Sequence, residues 1–163
     1  MSDFQGALLL DSGWGQAWLG RGQLKTAQGK LAAAAADLTQ AVELGELEAL
    51  GARGEVRRGL GDPNGSVADF SRALARSSKD SALWNGRGHS YLAQKNYDLA
   101  AKDFETANRL APREAKYLGS LGKAYYDKGD LKKSANYYAK ALEKDQQDPK
   151  LWSARGEALL SMG

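Results

Sequence analysis

The residues with the widest chemical repertoire are scarce in this chain. His89 is the only histidine, and there is no cysteine. A histidine pair for a metal and a cysteine–histidine pair for nucleophilic attack are therefore both excluded. Gly86-Arg87-Gly88 lacks the third glycine of a dinucleotide-binding loop and lies within a helical pattern rather than after a strand. Gly29-Lys30 has no glycine five residues before Gly29, as a phosphate-binding loop would need. Asn64-Gly65-Ser66 has the form of a glycosylation acceptor, but it falls in a turn of a chain without a secretion signal and reads as coincidence. The carboxylates are spread over helix faces as solvated surface. Neither catalysis, nor a metal, nor a cofactor is expected.

What recurs instead is an arginine before a glycine. It appears in Trp18-Leu19-Gly20-Arg21-Gly22, Leu50-Gly51-Ala52-Arg53-Gly54, Trp84-Asn85-Gly86-Arg87-Gly88 and Trp152-Ser153-Ala154-Arg155-Gly156. Sixteen residues after Arg21, Arg53 and Arg87 stand Asp37, Asp69 and Asp103. Where the arginine is replaced by Leu121, the matching residue is Tyr137, so the charge comes and goes on both positions together. Charges are rarely buried unpaired. Three structural ion pairs are expected: Arg21 with Asp37, Arg53 with Asp69 and Arg87 with Asp103, within a helix pair or across to a neighbouring one.

The elements that must position these groups repeat with them. Trp84, Leu118 and Trp152 are 34 residues apart, as are Gly54, Gly88, Gly122 and Gly156. Phe70, Phe104 and Tyr138 follow the same interval, and so do Ala73, Ala107 and Ala141. Each unit contains two helical patterns of about 13 residues, near the ordinary helix length. Asp62, Asn96 and Asp130 suit the N-cap of the second helix, with Pro63 in its first turn; Asp80 and Asp148-Pro149 suit the first helix of the next unit.

Composition sets outer limits. The chain has 163 residues, is 42% hydrophobic and carries a net charge of +3. Residues 1–80 hold 9 Lys+Arg against 10 Asp+Glu, and residues 81–163 hold 14 against 10, so the second half is the basic one. The longest apolar cluster, near Leu8-Leu9-Leu10, is far too short to span a bilayer. Met1-Ser2-Asp3 does not begin a secretory signal. The absence of cysteine agrees with a reducing, cytoplasmic setting.

Trp84, Gly88, Tyr91, Ala100, Phe104, Ala107 and Pro112 stand where the tetratricopeptide repeat places its signature residues, and the chain resembles that family over nearly its whole length. The resemblance implies an all-α fold, a right-handed superhelical solenoid of antiparallel helix pairs. It divides the single domain 1–163 into 1–12, the second helix of a partial repeat; full repeats 15–46, 47–80, 81–114 and 115–148; and 149–163, the first helix of another. Repeat 15–46 is two residues short and has Lys25 in the tyrosine place; repeat 47–80 has Arg57 there. The aromatics are expected to be core.

The family lines a concave groove with its first helices. That implies a peptide-binding groove here at Asn85, His89, Lys116, Lys123, Tyr126 and Lys150, for a protein or peptide partner of acidic character. The lysine/asparagine clamp by which some members hold chaperone tails is matched only at Lys150, which disfavours that ligand. Asp3-Phe4-x-x-Ala7 aligns with Asp69-Phe70-x-x-Ala73, so the chain opens in the second helix of a pair, and its last helix is the first of another. Repeat arrays end in polar caps. Phe4, Leu8, Leu159 and Leu160 are therefore expected to mark two unfinished apolar ends, for continuation in a longer repeat protein or for homo-oligomers. The leading expectation is a non-enzymatic interaction module. A self-assembling scaffold is the alternative. A helical-repeat RNA binder is disfavoured because no basic stripe runs through every repeat, and no membrane partner is expected.

Overall fold

The computed structural model describes residues 2–163, Ser2 by its backbone only. Among them are ten helices and no strand. The chain falls into two compact units, Met1–Ser77 and Ser78–Gly163. No helix among the described residues is long and apolar enough to cross a membrane.

The first unit contains α1 (Ser2–Leu10), α2 (Gly15–Ala27), α3 (Leu31–Glu43), α4 (Ala49–Gly59) and α5 (Pro63–Leu74). The second contains α6 (Ser81–Ala93), α7 (Tyr97–Leu110), α8 (Ala115–Lys128), α9 (Leu131–Leu142) and α10 (Pro149–Leu160). In each unit, successive helices pack on one another. Lighter contacts join α2 to α4 in the first unit, and α6 to α8 and α8 to α10 in the second, so within each unit the first helices of successive pairs lie side by side.

Local chemistry starts and stops these helices. Asp62 accepts from the Gly65 N–H at 2.8 Å and Asp130 from that of Lys133 at 3.1 Å. Asp80 and Asp148 accept from Ala82 and Lys150, each at 2.8 Å. These contacts satisfy N–H groups that a helix start leaves open. Asn96 differs from expectation: its side chain makes no capping bond, although its N–H closes the turn onto the Tyr91 carbonyl at 2.8 Å as those of Asp62 and Asp130 do onto Arg57 and Tyr125 at 2.9 Å. The turn within each pair contains a left-handed residue: Gly29, Gly61 and Gly129 at φ of 72°, 80° and 90°, but Lys95 at 59°.

Close approach at one glycine holds each pair together. A Cβ on Gly88 would lie 2.6 Å from the Phe104 ring, one on Gly54 2.9 Å from Phe70, and one on Gly122 2.8 Å from Tyr138. Phe104 and Phe70 are fully buried as a result, and truncating such a ring to alanine costs about 3–5 kcal/mol.

The tryptophans correct the expectation of core aromatics. Trp152 is 52% exposed and Trp84 is half-buried. Their indole N–H groups reach six residues back, Trp18 to the Ser12 carbonyl, Trp84 to Ser78 and Trp152 to Gln146, at 2.8–2.9 Å. They fasten the segment entering the first helix, while Phe70, Phe104, Tyr117 and Tyr138 fill the core. Leu8 is a second correction: it is buried, and Leu9 and Leu10 are the exposed residues of α1, at 84% and 91%.

Candidate functional site

The recurring charged residues lie between the two helices of each pair. Arg21 donates from Nε to Asp37 Oδ2 at 2.8 Å and from Nη2 to Oδ1 at 2.9 Å. Arg53 and Asp69 have the same two-pronged geometry at 2.8 and 2.7 Å, as do Arg87 and Asp103 at 2.8 and 2.9 Å. The most enclosed pair is Arg53–Asp69, whose side chains are 7% and 1% exposed. Burial pushes the Asp37 carboxyl up, but hydrogen bonds from Arg21 and Lys25 outweigh it and hold that group below its ordinary range. The hydrogen bond to Asp103 raises Arg87 above its ordinary value, against the opposing effect of burial.

The tyrosine place completes this arrangement in a way that pairwise spacing does not reveal. Lys25 Nζ lies 2.6 Å from Asp37 Oδ2, and Arg57 Nη1 lies 3.0 Å from Asp69 Oδ2. Each aspartate thus receives two cations. In the next repeat the same place is Tyr91, whose ring lies 5.7 Å from the Arg87 guanidinium carbon. In the following one, Tyr125 and Tyr137 stack at 5.2 Å with their planes 2° apart, beside Leu121. The position four residues after the arginine carries the signal, since i and i+4 share a helix face. These groups are enclosed between helices and paired with one another, which makes them scaffold.

The groove residues lie on the first-helix layer of the second unit. Ser120, on α8, joins two of them: its hydroxyl is 3.2 Å from Asn85 Oδ1 and 3.3 Å from His89 Nε2. It also donates to the Lys116 carbonyl at 3.0 Å. One hydroxyl proton serves one acceptor at a time, so within this small polar seam the bonds to Asn85 Oδ1 and the Lys116 carbonyl are alternatives, while the Ser120 oxygen can at the same time accept from a protonated His89 Nε2. The His89 ring also meets Phe104 edge-on at 5.0 Å, tying the seam to the core. The clamp reading of the sequence passes through Ser120 beside Asn85 and His89, but its contact with both is visible only in the structure.

The lysines of α8 and α10 are all exposed. Lys116 pairs with Glu114 at 3.2 Å, and Lys123 with Asp127 at 3.0 Å. Both are more than half exposed, so these bonds are weak and screened by salt. The hydrogen bond that Lys116 donates to Glu114 raises the lysine above its ordinary value. Lys150 is exposed, and the Tyr126 hydroxyl lies 3.4 Å from that of Ser161, just beyond α10. The structure therefore brings Asn85 and His89 together through Ser120, and sets Lys116, Lys123, Tyr126 and Lys150 along α8 and α10. Phe4, Leu159 and Leu160 are exposed, and Leu8 is not.

A cleft lies between α7, α8 and α9 of the same unit. Glu105 and Asn108 of α7, Leu118 and Leu121 of α8, and Tyr137 and Lys140 of α9 line this cleft of about 500 Å³. The Asn108 Oδ1 there is buried without a hydrogen-bond partner. The cleft falls beside the Leu121–Tyr137 position where the charged pair is absent.

The tetratricopeptide repeat profile matches residues 52–115, 86–149 and 120–163, and a second profile of that name matches residues 15–44. Tetratricopeptide repeat protein 37 of Xenopus laevis is 29% identical over 160 residues, covering 86% of this chain and 10% of that protein. The chain spans 10–20% of the length of the curated relatives it matches. Among solved structures, a tetratricopeptide repeat protein from Parabacteroides merdae ATCC 43184 superposes with a TM-score of 0.87 at 18% identity, covering 99% of this chain and 65% of that one. YrrB, described as a tetratricopeptide repeat protein with an unusual peptide-binding site, superposes at 0.83 with 20% identity, covering 94% and 80%. At these identities the structures establish the fold, an all-α solenoid of helix pairs. Helix pairs closed by glycine against a ring, repeated at a 34-residue interval and matched by the family's profiles over most of the length, make this chain a member of the tetratricopeptide repeat family.

Proposed function

We propose that the chain is a non-enzymatic protein-interaction module whose second unit holds an extended acidic peptide along α6, α8 and α10. The observation that carries this reading is the polar seam of Asn85, Ser120 and His89, flanked by lysines whose own ion pairs are exposed. An asparagine amide both donates and accepts, which matches a peptide backbone. Lys116, Lys123 and Lys150 supply positive charge for carboxylates, and those surface pairs exchange partners at little cost. The peptide-binding site named for YrrB supports the class of function, and the absence of cysteine fits a reducing cytosol.

Panning a library of random displayed peptides on the chain tests this. Enriched peptides rich in Asp and Glu are expected, with binding that weakens as salt rises. Lys123→Glu with Lys150→Glu abolishes that binding, and Asn85→Ala weakens it. Acidic peptides that bind the double lysine variant unchanged would place the site elsewhere.

A further inference from the structure

The cleft between α7, α8 and α9 lies where α8 departs from other first helices. Trp18, Trp84 and Trp152 of α2, α6 and α10 each donate an indole N–H to the carbonyl six residues back. In α8 that place is Leu118, and the carbonyl six residues back is that of Pro112. Both residues line the cleft, and no hydrogen bond from the described residues reaches the Pro112 carbonyl. The Arg21 and Arg87 guanidinium groups lie over Trp18 and Trp84, at 4.6 and 4.8 Å; their counterpart in α8 is Leu121. Two leucines thus stand where α2 and α6 hold an indole under a guanidinium. α4 has Leu50 at the tryptophan place as well, but keeps Arg53.

α7 departs at the same place. Asn108 is in register with Val42, Leu74 and Leu142, all of which are buried. Its Oδ1 is buried without a hydrogen-bond partner, a costly state that a donor from outside the chain relieves. Leu118, Leu121 and Tyr137 supply apolar and aromatic surface to the same cleft. Glu105 and Glu143 balance Lys140 and Lys144 in its lining, so no net charge draws a charged ligand. The matching group is flat, largely apolar and uncharged, with one N–H to give; an indole is a donor only. We infer that this cleft takes the tryptophan side chain of a partner polypeptide, with its ring on Leu118 and Leu121 and its N–H on Asn108 Oδ1. A polypeptide is the source because a cleft of about 500 Å³ has room for more than one ring, and the Pro112 carbonyl offers a second acceptor, suited to a backbone N–H beside the tryptophan. The cleft shares no residue with the seam of Asn85, Ser120 and His89 or with its lysines, so the inference does not rest on the peptide-groove reading.

Calorimetric titration of the chain with the capped peptide acetyl-Gly-Trp-Gly-amide, up to about 5 mM so that weak binding registers, tests this. Saturable binding at one site is expected, and none when alanine replaces the tryptophan. Methylating the indole nitrogen keeps the ring and removes the donor; binding is expected to weaken about tenfold, the worth of one hydrogen bond to a buried acceptor. Asn108→Leu installs the residue that α5 and α9 carry at the matching place, so the same loss is expected while the melting temperature holds or rises. Leu118→Trp fills the cleft with the chain's own indole, as in α6, and abolishes binding in a chain that stays helical by circular dichroism. Lys123→Glu with Lys150→Glu leaves this binding unchanged, which separates the cleft from the groove. Absence of binding overturns the inference, as does binding indifferent to the methylated indole and to both cleft variants. Free indole that binds as tightly as the peptide overturns the polypeptide source and makes the cleft a small-molecule site.

Discussion

Arg53 and Asp69 face each other across α4 and α5 in a two-pronged pair, Nε to Oδ2 at 2.8 Å and Nη2 to Oδ1 at 2.7 Å. Arg57 adds a second cation to the same carboxylate at 3.0 Å. Leu121, Tyr125 and Tyr137 occupy these three positions two repeats later, without charge. The chain therefore solves one packing problem with a charge cluster and again with an aromatic stack.

Breaking the cluster and replacing it should have opposite consequences. Asp69→Asn strands two guanidinium groups and is expected to destabilise the first unit by about 3–5 kcal/mol. The triple change Arg53→Leu, Arg57→Tyr and Asp69→Tyr installs the Leu121–Tyr125–Tyr137 set. It is expected to be neutral or stabilising, by up to about 4 kcal/mol, as apolar replacements of buried ion clusters often are. Urea unfolding of the two variants decides between these outcomes.

Asp37 sets an acid limit. Its folded-state pKa lies below the ordinary 3.8, so its contribution is fully present above that value and is lost as pH falls through the lowered one. The hydrogen bond to Asp37 raises Arg21 above its ordinary value, so its contribution stays intact across the acid and neutral range. Melting curves from neutral pH down to about pH 2, spanning the carboxylate range, should show a loss of stability that Asp37→Asn flattens. An unchanged acid profile in Asp37→Asn would remove the pair from that account.

Lys95 holds a left-handed turn position, φ 59°, where Gly29, Gly61 and Gly129 stand in the other pairs. A side chain in that region costs about 1–2 kcal/mol, partly offset by the greater freedom of glycine in the unfolded chain. Lys95→Gly is expected to raise stability by about 0.5–1 kcal/mol, read as an upward shift of the melting temperature.

Gly88→Ala tests the close approach of α6 and α7. Its methyl would stand 2.6 Å from the Phe104 ring, and rings in a close-packed core have little room to yield. A loss of about 1–3 kcal/mol is expected, the usual cost of overfilling a core, measured by denaturant unfolding.

The repeats and their charged positions were legible in the sequence because both are periodic. A 34-residue interval returns each side chain to the same place in the same local geometry, so Arg21, Arg53 and Arg87 declare themselves by comparison within one chain. Capping aspartates were legible too, since a cap acts within three residues of itself. Asn96 stands at the cap place but makes no side-chain capping bond, which the local pattern does not specify.

The sequence by itself determined the helix pairs, their register and the co-occurrence of Arg with Asp, all of which follow from local periodicity. Tertiary structure decided what meets across helices. It gave Asp37 and Asp69 a second cation each, placed Ser120 between Asn85 and His89, and turned the tryptophans into ties on the connecting segments. It buried Leu8 while leaving Leu9 and Leu10 exposed. The physical reason is direction: spacing along a helix fixes which face a residue is on, but its partner depends on where the neighbouring helix brings its own side chains.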